Sequence, residues 1–177
     1  KLIKYLIKHK HWSPFEMVNM CVEINTTRSI SAQILRHRSF SFQEFSQRYA
    51  SVEELELPSP PELRLQDLKN RQNSFEADEM DTLNWQASIQ LHYAKCYKLY
   101  KNLLKEGIAK ECARDVLPMG SPTRLYMNGT LRSWIHYVDL RTSNGTQKEH
   151  QDIAIACKDL IKTNFPLTFK AIYENIS

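Results

Sequence analysis

Apolar positions along the chain change period several times, and each change marks an element. Leu2, Ile3, Leu6 and Ile7 recur at helical spacing. Ser13-Pro14-Phe15-Glu16 follows as a capping box with proline at the first helical position. The helix it opens must be short, because Val18, Met20, Val22 and Ile24 alternate with Asn19, Cys21, Glu23 and Asn25, the pattern of a half-buried strand. From Thr27 the period is helical again: Ile30, Ile34 and Leu35 face inward, while Gln33 and Arg36 share another face. Leu57-Pro58-Ser59-Pro60-Pro61 reads as a loop, and the polar run through Ser74 as irregular and surface-exposed. Residues 78–106 form the longest helical candidate, acidic at its start, Lys-rich at its end and closed by Gly107. A short helix then stops at Pro118, and residues 123–127 form a strand. Leu131, Trp134, Ile135 and Val138 mark a helix that sets Arg132 and His136 one turn apart. Asn144-Gly145 is a turn, and residues 153–165 resume a helix that Pro166 ends. No repeat or low-complexity tract interrupts the series. The expected class is α+β: one domain, residues 1–177, with helices packed on a small sheet.

Composition narrows the function classes. A chain of 177 residues with 42% hydrophobic and 25% charged residues buries a real core and is not disordered. A net charge of +4 leans mildly toward anionic partners and is too small to argue nucleic acid. No stretch approaches the ~18 apolar residues of a membrane span, and residues 1–10 are amphipathic rather than a leader. Cys21, Cys96, Cys112 and Cys157 are far apart with no CxxC pair, so neither disulfides nor a zinc knuckle are expected, and a reducing cytoplasm fits. The chain opens without Met inside a helical pattern, so an upstream segment is expected. Glycine is the informative shortage. Only Gly107, Gly120, Gly129 and Gly145 occur, with no GxGxxG or Walker loop, so a bound phosphate would be held mainly by side chains.

The densest chemistry lies between Arg36 and Tyr49. Arg36-His37-Arg38 ends a helix and is followed by Ser41, Glu44, Ser46, Arg48 and Tyr49. Three consecutive cationic side chains cannot share one helix face, so some must reach a ligand or a neighbouring chain. The arginine fork suits bidentate phosphate binding, and the serines add hydroxyl donors. Glu44 among these cations is expected to be ionised, orienting arginines or accepting a substrate N–H. A solvated helix end with an ordinary Arg–Glu pair explains the same residues, and chemistry alone does not separate the two. Elsewhere the plainer readings hold. His9 and His11 lack metal-ligating partners, so no metal site is expected. His92 and His150 read as surface residues, Trp85, Tyr93, Tyr97 and Tyr100 as packing, and Tyr49 as support for the segment's backbone.

The string itself separates them. Arg36-His37-Arg38-x-x-Ser41-x-Gln43-Glu44-x-Ser46-x-Arg48-Tyr49 resembles the RHRxxSxNExSxRY signature of flavin-dependent thymidylate synthases, with Gln43 where the pattern has Asn. Upstream, His11-Trp12-Ser13-Pro14-Phe15-Glu16 is similar to the family's H-x-[TS]-P-x-E segment, with Met17 in place of a following histidine. Downstream, residues 113–118 resemble its AR-x-x-LP stretch, and residues 129–136 its flavin-contacting helix. The likeness runs from Lys1 to about Phe169; the family's opening strand and serine contact would lie upstream. The resemblance implies a small, mainly antiparallel sheet and a homotetramer with FAD between subunits. It also implies methylation of dUMP to dTMP, with methylenetetrahydrofolate as carbon donor and NADPH as reductant. Carried over, His11, Ser13, Glu16, Arg36, His37, Arg38, Arg132 and His136 are FAD contacts. Gln33, Glu44, Ser46, Gln47 (through its backbone), Arg48, Arg114 and Arg141 are dUMP contacts. Arg141, Glu44 and Arg48 form the catalytic set. Arg141 is the candidate to stabilise charge developing on the uracil, with no protein nucleophile needed. Two rivals remain open at this point: an inactive flavin- or nucleotide-binding relative, and a basic nucleic-acid-binding module presenting residues 27–38.

Overall fold

The computed structural model describes residues 1–50 and 59–174, so Leu57 and Pro58 of the expected proline loop lie outside the described residues. Its helices are α1 (Leu2–Lys8), α2 (Arg28–Ile34), α3 (Glu79–Lys105), α4 (Lys110–Ala113), α5 (Leu131–Arg141), α6 (Lys148–Asn164) and α7 (Pro166–Tyr173). Its strands are β1 (Asn19–Thr27), β2 (Ser41–Glu44), β3 (Arg64–Gln66), β4 (Ser74–Glu76) and β5 (Pro122–Thr130). β1, β5 and β2 form one sheet in that order, and β3 pairs antiparallel with β4. The class is α+β, as the periodicity predicts. Contacts group the chain into two compact units. The first holds Lys1–Ile24, Arg36–Phe42 and Tyr126–Ser177; the second holds Asn25–Leu35 and Gln43–Leu125.

In the first unit α5 packs on α6 and on a 3₁₀ turn at Ser13–Glu16, α6 packs on α7, and α7 on α1. Leu131, Trp134, Ile135, Tyr137 and Val138 turn inward from α5, and His150, Ala154, Cys157 and Ile161 from α6. A large side chain buried in this way stabilises by about 1.5–3 kcal/mol. Trp134 satisfies its one donor by giving its Nε1–H to the Met20 carbonyl at 2.9 Å. Thr130 caps α5, its hydroxyl accepting from the Ser133 amide. Beside this helix Gly129 is obligatory, because the Phe40 ring fills the space a Cβ would need.

In the second unit α3 is capped at Asp78, whose carboxylate accepts from the Met80 amide at 2.9 Å. At its other end Gly107 takes φ +80°, with Gly107 N–H bonded to Leu104 O and Ile108 N–H to Leu103 O. That is a Schellman closure. Tyr97, Tyr100 and Ala113 are buried under Leu103, Leu104, Val116 and Leu117. Gly120 lies so close to the Tyr93 ring that a Cβ there would collide with it.

Several sequence expectations need correction. The capping box at Ser13 does not form: Trp12 is the N-cap of the 3₁₀ turn, with no side-chain cap bond, and Glu16 turns to Arg132 instead. The run before Ser74 is not irregular throughout. Asp67 accepts from the Lys69 and Asn70 amides and from the Asn73 side chain, which folds the turn between β3 and β4. Pro166 ends α6 and also opens α7, since its missing N–H costs nothing at the first helical position. α6 begins at Lys148, not Ile153. Leu35 is exposed rather than inward. Trp85 is exposed too, whereas Tyr97 and Tyr100 pack as expected. His150, read as a surface residue, is fully buried, while His92 is exposed.

Candidate functional site

The two groups of site residues fall largely in different units. All eight proposed flavin contacts belong to the first unit; the proposed nucleotide contacts belong to the second, Arg141 apart.

In the first unit the Arg36-His37-Arg38 run lies beyond the end of α2, outside the helix. Arg36 and Arg38 are exposed, and neither has a hydrogen-bond or ion-pair partner among the described residues. His37 turns inward. Its Nε2 accepts from Arg141 Nε at 2.9 Å, and its ring stands edge-on to Tyr137 with centroids 5.0 Å apart. Burial, and then the Arg141 charge, hold the His37 pKa below its ordinary value, so the imidazole is neutral and free to accept. Arg132 and Glu16, separate in the sequence, meet as an ion pair. His136 is exposed beside the Trp12 ring, 5.3 Å between centroids. Ser13 and His11 are exposed, and His11 packs edge-on against Tyr5.

The second unit holds a cavity of about 250 Å³, lined by Arg28, Gln47, Arg114 and Ser121 with Asp115, Leu117, Pro118 and Met119. α2 is anchored there, its Arg28 and Ser29 amides donating to the Ser121 and Met119 carbonyls. Gln47 is buried, and its Nε2 has no partner among the described residues. An orphaned buried donor costs about 1–3 kcal/mol unless a ligand meets it. Arg114 gives Nε to the Glu111 carbonyl at 3.3 Å, which leaves its terminal nitrogens directed elsewhere. Nearby in sequence, Glu44 Oε1 accepts from Ser31 Oγ at 2.7 Å and Thr123 Oγ1 at 2.9 Å, with Arg28 at 3.6 Å. Its second oxygen has no partner among the described residues and remains an acceptor. Arg48 pairs with Glu111 at 3.3 Å on the surface and lies over the Tyr49 ring. Lys110 Nζ donates to the Tyr49 carbonyl, so the motif's backbone is tied to α4 rather than held by the exposed Tyr49 ring. Gln33 and Ser46 are half-buried.

Residues 1–167 match the family described as "Thymidylate synthase complementing protein". A "Probable flavin-dependent thymidylate synthase" of Paramecium bursaria Chlorella virus 1 is 56% identical over 172 residues, which are 97% of this chain and 79% of that protein. The chain belongs to the flavin-dependent thymidylate synthase family. A second family member, from Synechocystis, is 49% identical over 176 residues, 97% of this chain and 79% of its own. The fold agrees: a crystal structure of a UMP/dUMP methylase PolB from Streptomyces cacaoi bound with 5-Br UMP superposes with TM-score 0.86 at 28% identity, covering 96% of this chain and 80% of that one.

Measured against this family the motif reading missed three residues. Arg28, Ser31 and Thr123 lie outside the signature string, yet the first shares the Arg114 cavity and the other two hold Glu44. Arg28 carried one sequence signal, a cation opening the helix that leads to Arg36. No grouping of three or more His, Cys, Asp or Glu residues that could hold a metal occurs among the described residues. Likewise no described helix is long and apolar enough to cross a membrane.

Proposed function

We propose that this chain is a cytoplasmic, homotetrameric, FAD-dependent enzyme that methylates dUMP to dTMP, taking the carbon from methylenetetrahydrofolate and the electrons from NADPH. The observation that carries the reading is the second unit's cavity. It brings Arg28 and Arg114 to one small polar space beside a buried amide donor, which is what a nucleoside monophosphate needs. The uridylate ligand and substrate named for the solved relative support the same class.

The first unit's donors fit a dinucleotide. Arg36 and Arg38 are cations without partners among the described residues, beside a neutral imidazole, in a chain whose sequence has no glycine-rich phosphate loop. With Arg132, His136, Glu16, Ser13 and His11 these residues would hold FAD, which supplies the hydride when bound. Every other step belongs to the chain. Arg28 and Arg114 bind the phosphate and Gln47 meets it with its amide; Ser46, Gln33 and Arg48 orient the nucleotide. Glu44, fixed by two hydroxyl donors on one oxygen, uses the other to accept the uracil N–H. Arg141 keeps its terminal nitrogens for the uracil ring and stabilises the charge that develops there.

A charge-assisted hydrogen bond is worth about 1.5–3 kcal/mol, so Arg38→Ala weakens FAD retention by about tenfold to 150-fold with the fold intact. Flavin titration of wild type and variant, followed by dTMP formation from dUMP, folate and NADPH, tests the reading. A protein that never takes up FAD, or takes it up without making dTMP, sinks it.

A further inference from the structure

Behind the proposed catalytic arginine lies a polar pair that the signature does not include. Tyr137 and His150 are both almost completely enclosed, and His150 Nε2 lies 3.1 Å from the Tyr137 hydroxyl. Burying a hydroxyl and an imidazole has a desolvation cost that their hydrogen bond helps to offset. The position of the pair ties it to the site. The Tyr137 ring packs edge-on against His37, at 83° with centroids 5.0 Å apart, and the His150 ring stands at 85° to His37 at 6.1 Å. Two rings edge-on to a third restrict the plane of that imidazole, and its bond to Arg141 sets which nitrogen faces the guanidinium.

We propose that Tyr137 and His150 are positioning residues for Arg141, fixing the plane of His37 so that its Nε2 holds Arg141 Nε and aims the guanidinium. The inference rests on the reading above, in which Arg141 faces the pyrimidine. The His37–Arg141 bond of 2.9 Å requires a neutral His37 with its proton on Nδ1. With Nε engaged, neither terminal nitrogen of Arg141 has an acceptor among the described residues, so both are left for a ligand. Supporting this, burial first and then the Arg141 charge lower the pKa of His150 to about 4, and burial raises that of Tyr137. The group behind Arg141 is thus uncharged and does not compete with its field. A guanidinium aimed at charge that develops only during reaction contributes to turnover more than to binding.

The test compares FAD-loaded wild type with Tyr137→Phe, His150→Leu and the double variant. Each single change should lower kcat for dTMP formation by about fivefold to tenfold and leave KM for dUMP within about twofold. The double variant should be no worse than either single one, because the pair acts as a unit. His150→Gln, which can still meet the Tyr137 hydroxyl, should recover most of the loss. Imidazole ¹⁵N shifts of His37 should move in Tyr137→Phe and in His150→Leu and stay near wild type in His150→Gln. Folded variants with unchanged kcat and unchanged His37 shifts would show that the pair only packs. If Tyr137→Phe does not fold, the His150→Leu and His150→Gln comparison decides the same question. If wild type makes no dTMP the functional reading fails on its own, and the His37 shifts still report on the positioning.

Discussion

His150 spends the folded state as a neutral imidazole, and that has a measurable acid cost. Its pKa is about 4 when folded against an ordinary 6.5, chiefly through burial and then the Arg141 charge. Below pH 6.5 the unfolded chain binds a proton that the folded chain refuses. Stability from this residue is therefore complete above pH 6.5 and is lost as pH falls toward 4, by on the order of 2–3 kcal/mol. His37, also lowered, adds loss of the same sign. Urea unfolding at about pH 7 and about pH 5 should show His150→Gln losing less stability on acidification than wild type; equal losses would mean that His150 takes up its proton in the fold. Its burial is hidden locally, because Lys148-Glu149-His150-Gln151-Asp152 looks like solvent-facing helix. The signal was present at longer range: His150, Ala154, Cys157 and Ile161 repeat at helical spacing and are the buried stripe of α6. Glu44 was legible as a residue that binds something, but its two hydroxyl partners come from α2 and β5 and no local spacing announces them.

Among the elements, those with strong local signals were legible and those fixed by single contacts were not. α3 runs 27 residues between an Asp cap and a left-handed glycine, so both of its ends were written in the chain. Gly107→Ala isolates one of those signals. No atom lies within 4 Å of a Cβ built there, so only the φ of +80° resists the change. The cost should be about 1 kcal/mol, read as a lower urea midpoint with unchanged slope. A loss well beyond that would mean that the glycine also closes against a neighbour. β5 was read too short because its inward row runs Thr123, Leu125, Met127, Gly129, and the last member has no side chain to betray the alternation. β3 and β4 are three residues each, too brief to show a period, and the turn that pairs them hangs on Asp67. α7 is hard to read from sequence because the proline that ends α6 also opens the next helix.

For the molecule as a whole, the split of site residues between two units makes a kinetic prediction. Arg114 lines the proposed phosphate cavity, and phosphate charge hardly changes during reaction, so its binding is uniform. Arg141 is aimed through His37 at the proposed ring site, where charge grows. Arg114→Lys should raise KM for dUMP about tenfold with kcat little changed, and Arg141→Lys should lower kcat more than it raises KM. Steady-state kinetics at saturating folate and NADPH check both; the reverse pattern would exchange the two roles, and no effect in either would remove them from the site. The family signature supplied most of these residues from sequence because one short segment holds them. Arg114 came from the separate AR-x-x-LP stretch, whereas Arg28 was not legible, because only the folded chain brings it beside Arg114 and Ser121. The packing of α1 on α7 has a consequence for synthesis. α1 is seven residues long with none buried, too short to stay helical in water by itself. Its partner is made more than a hundred and fifty residues later, and closing so long a loop is entropically late. On the ribosome α1 therefore waits as coil until α7 has been made, and it is among the last elements of its unit to form.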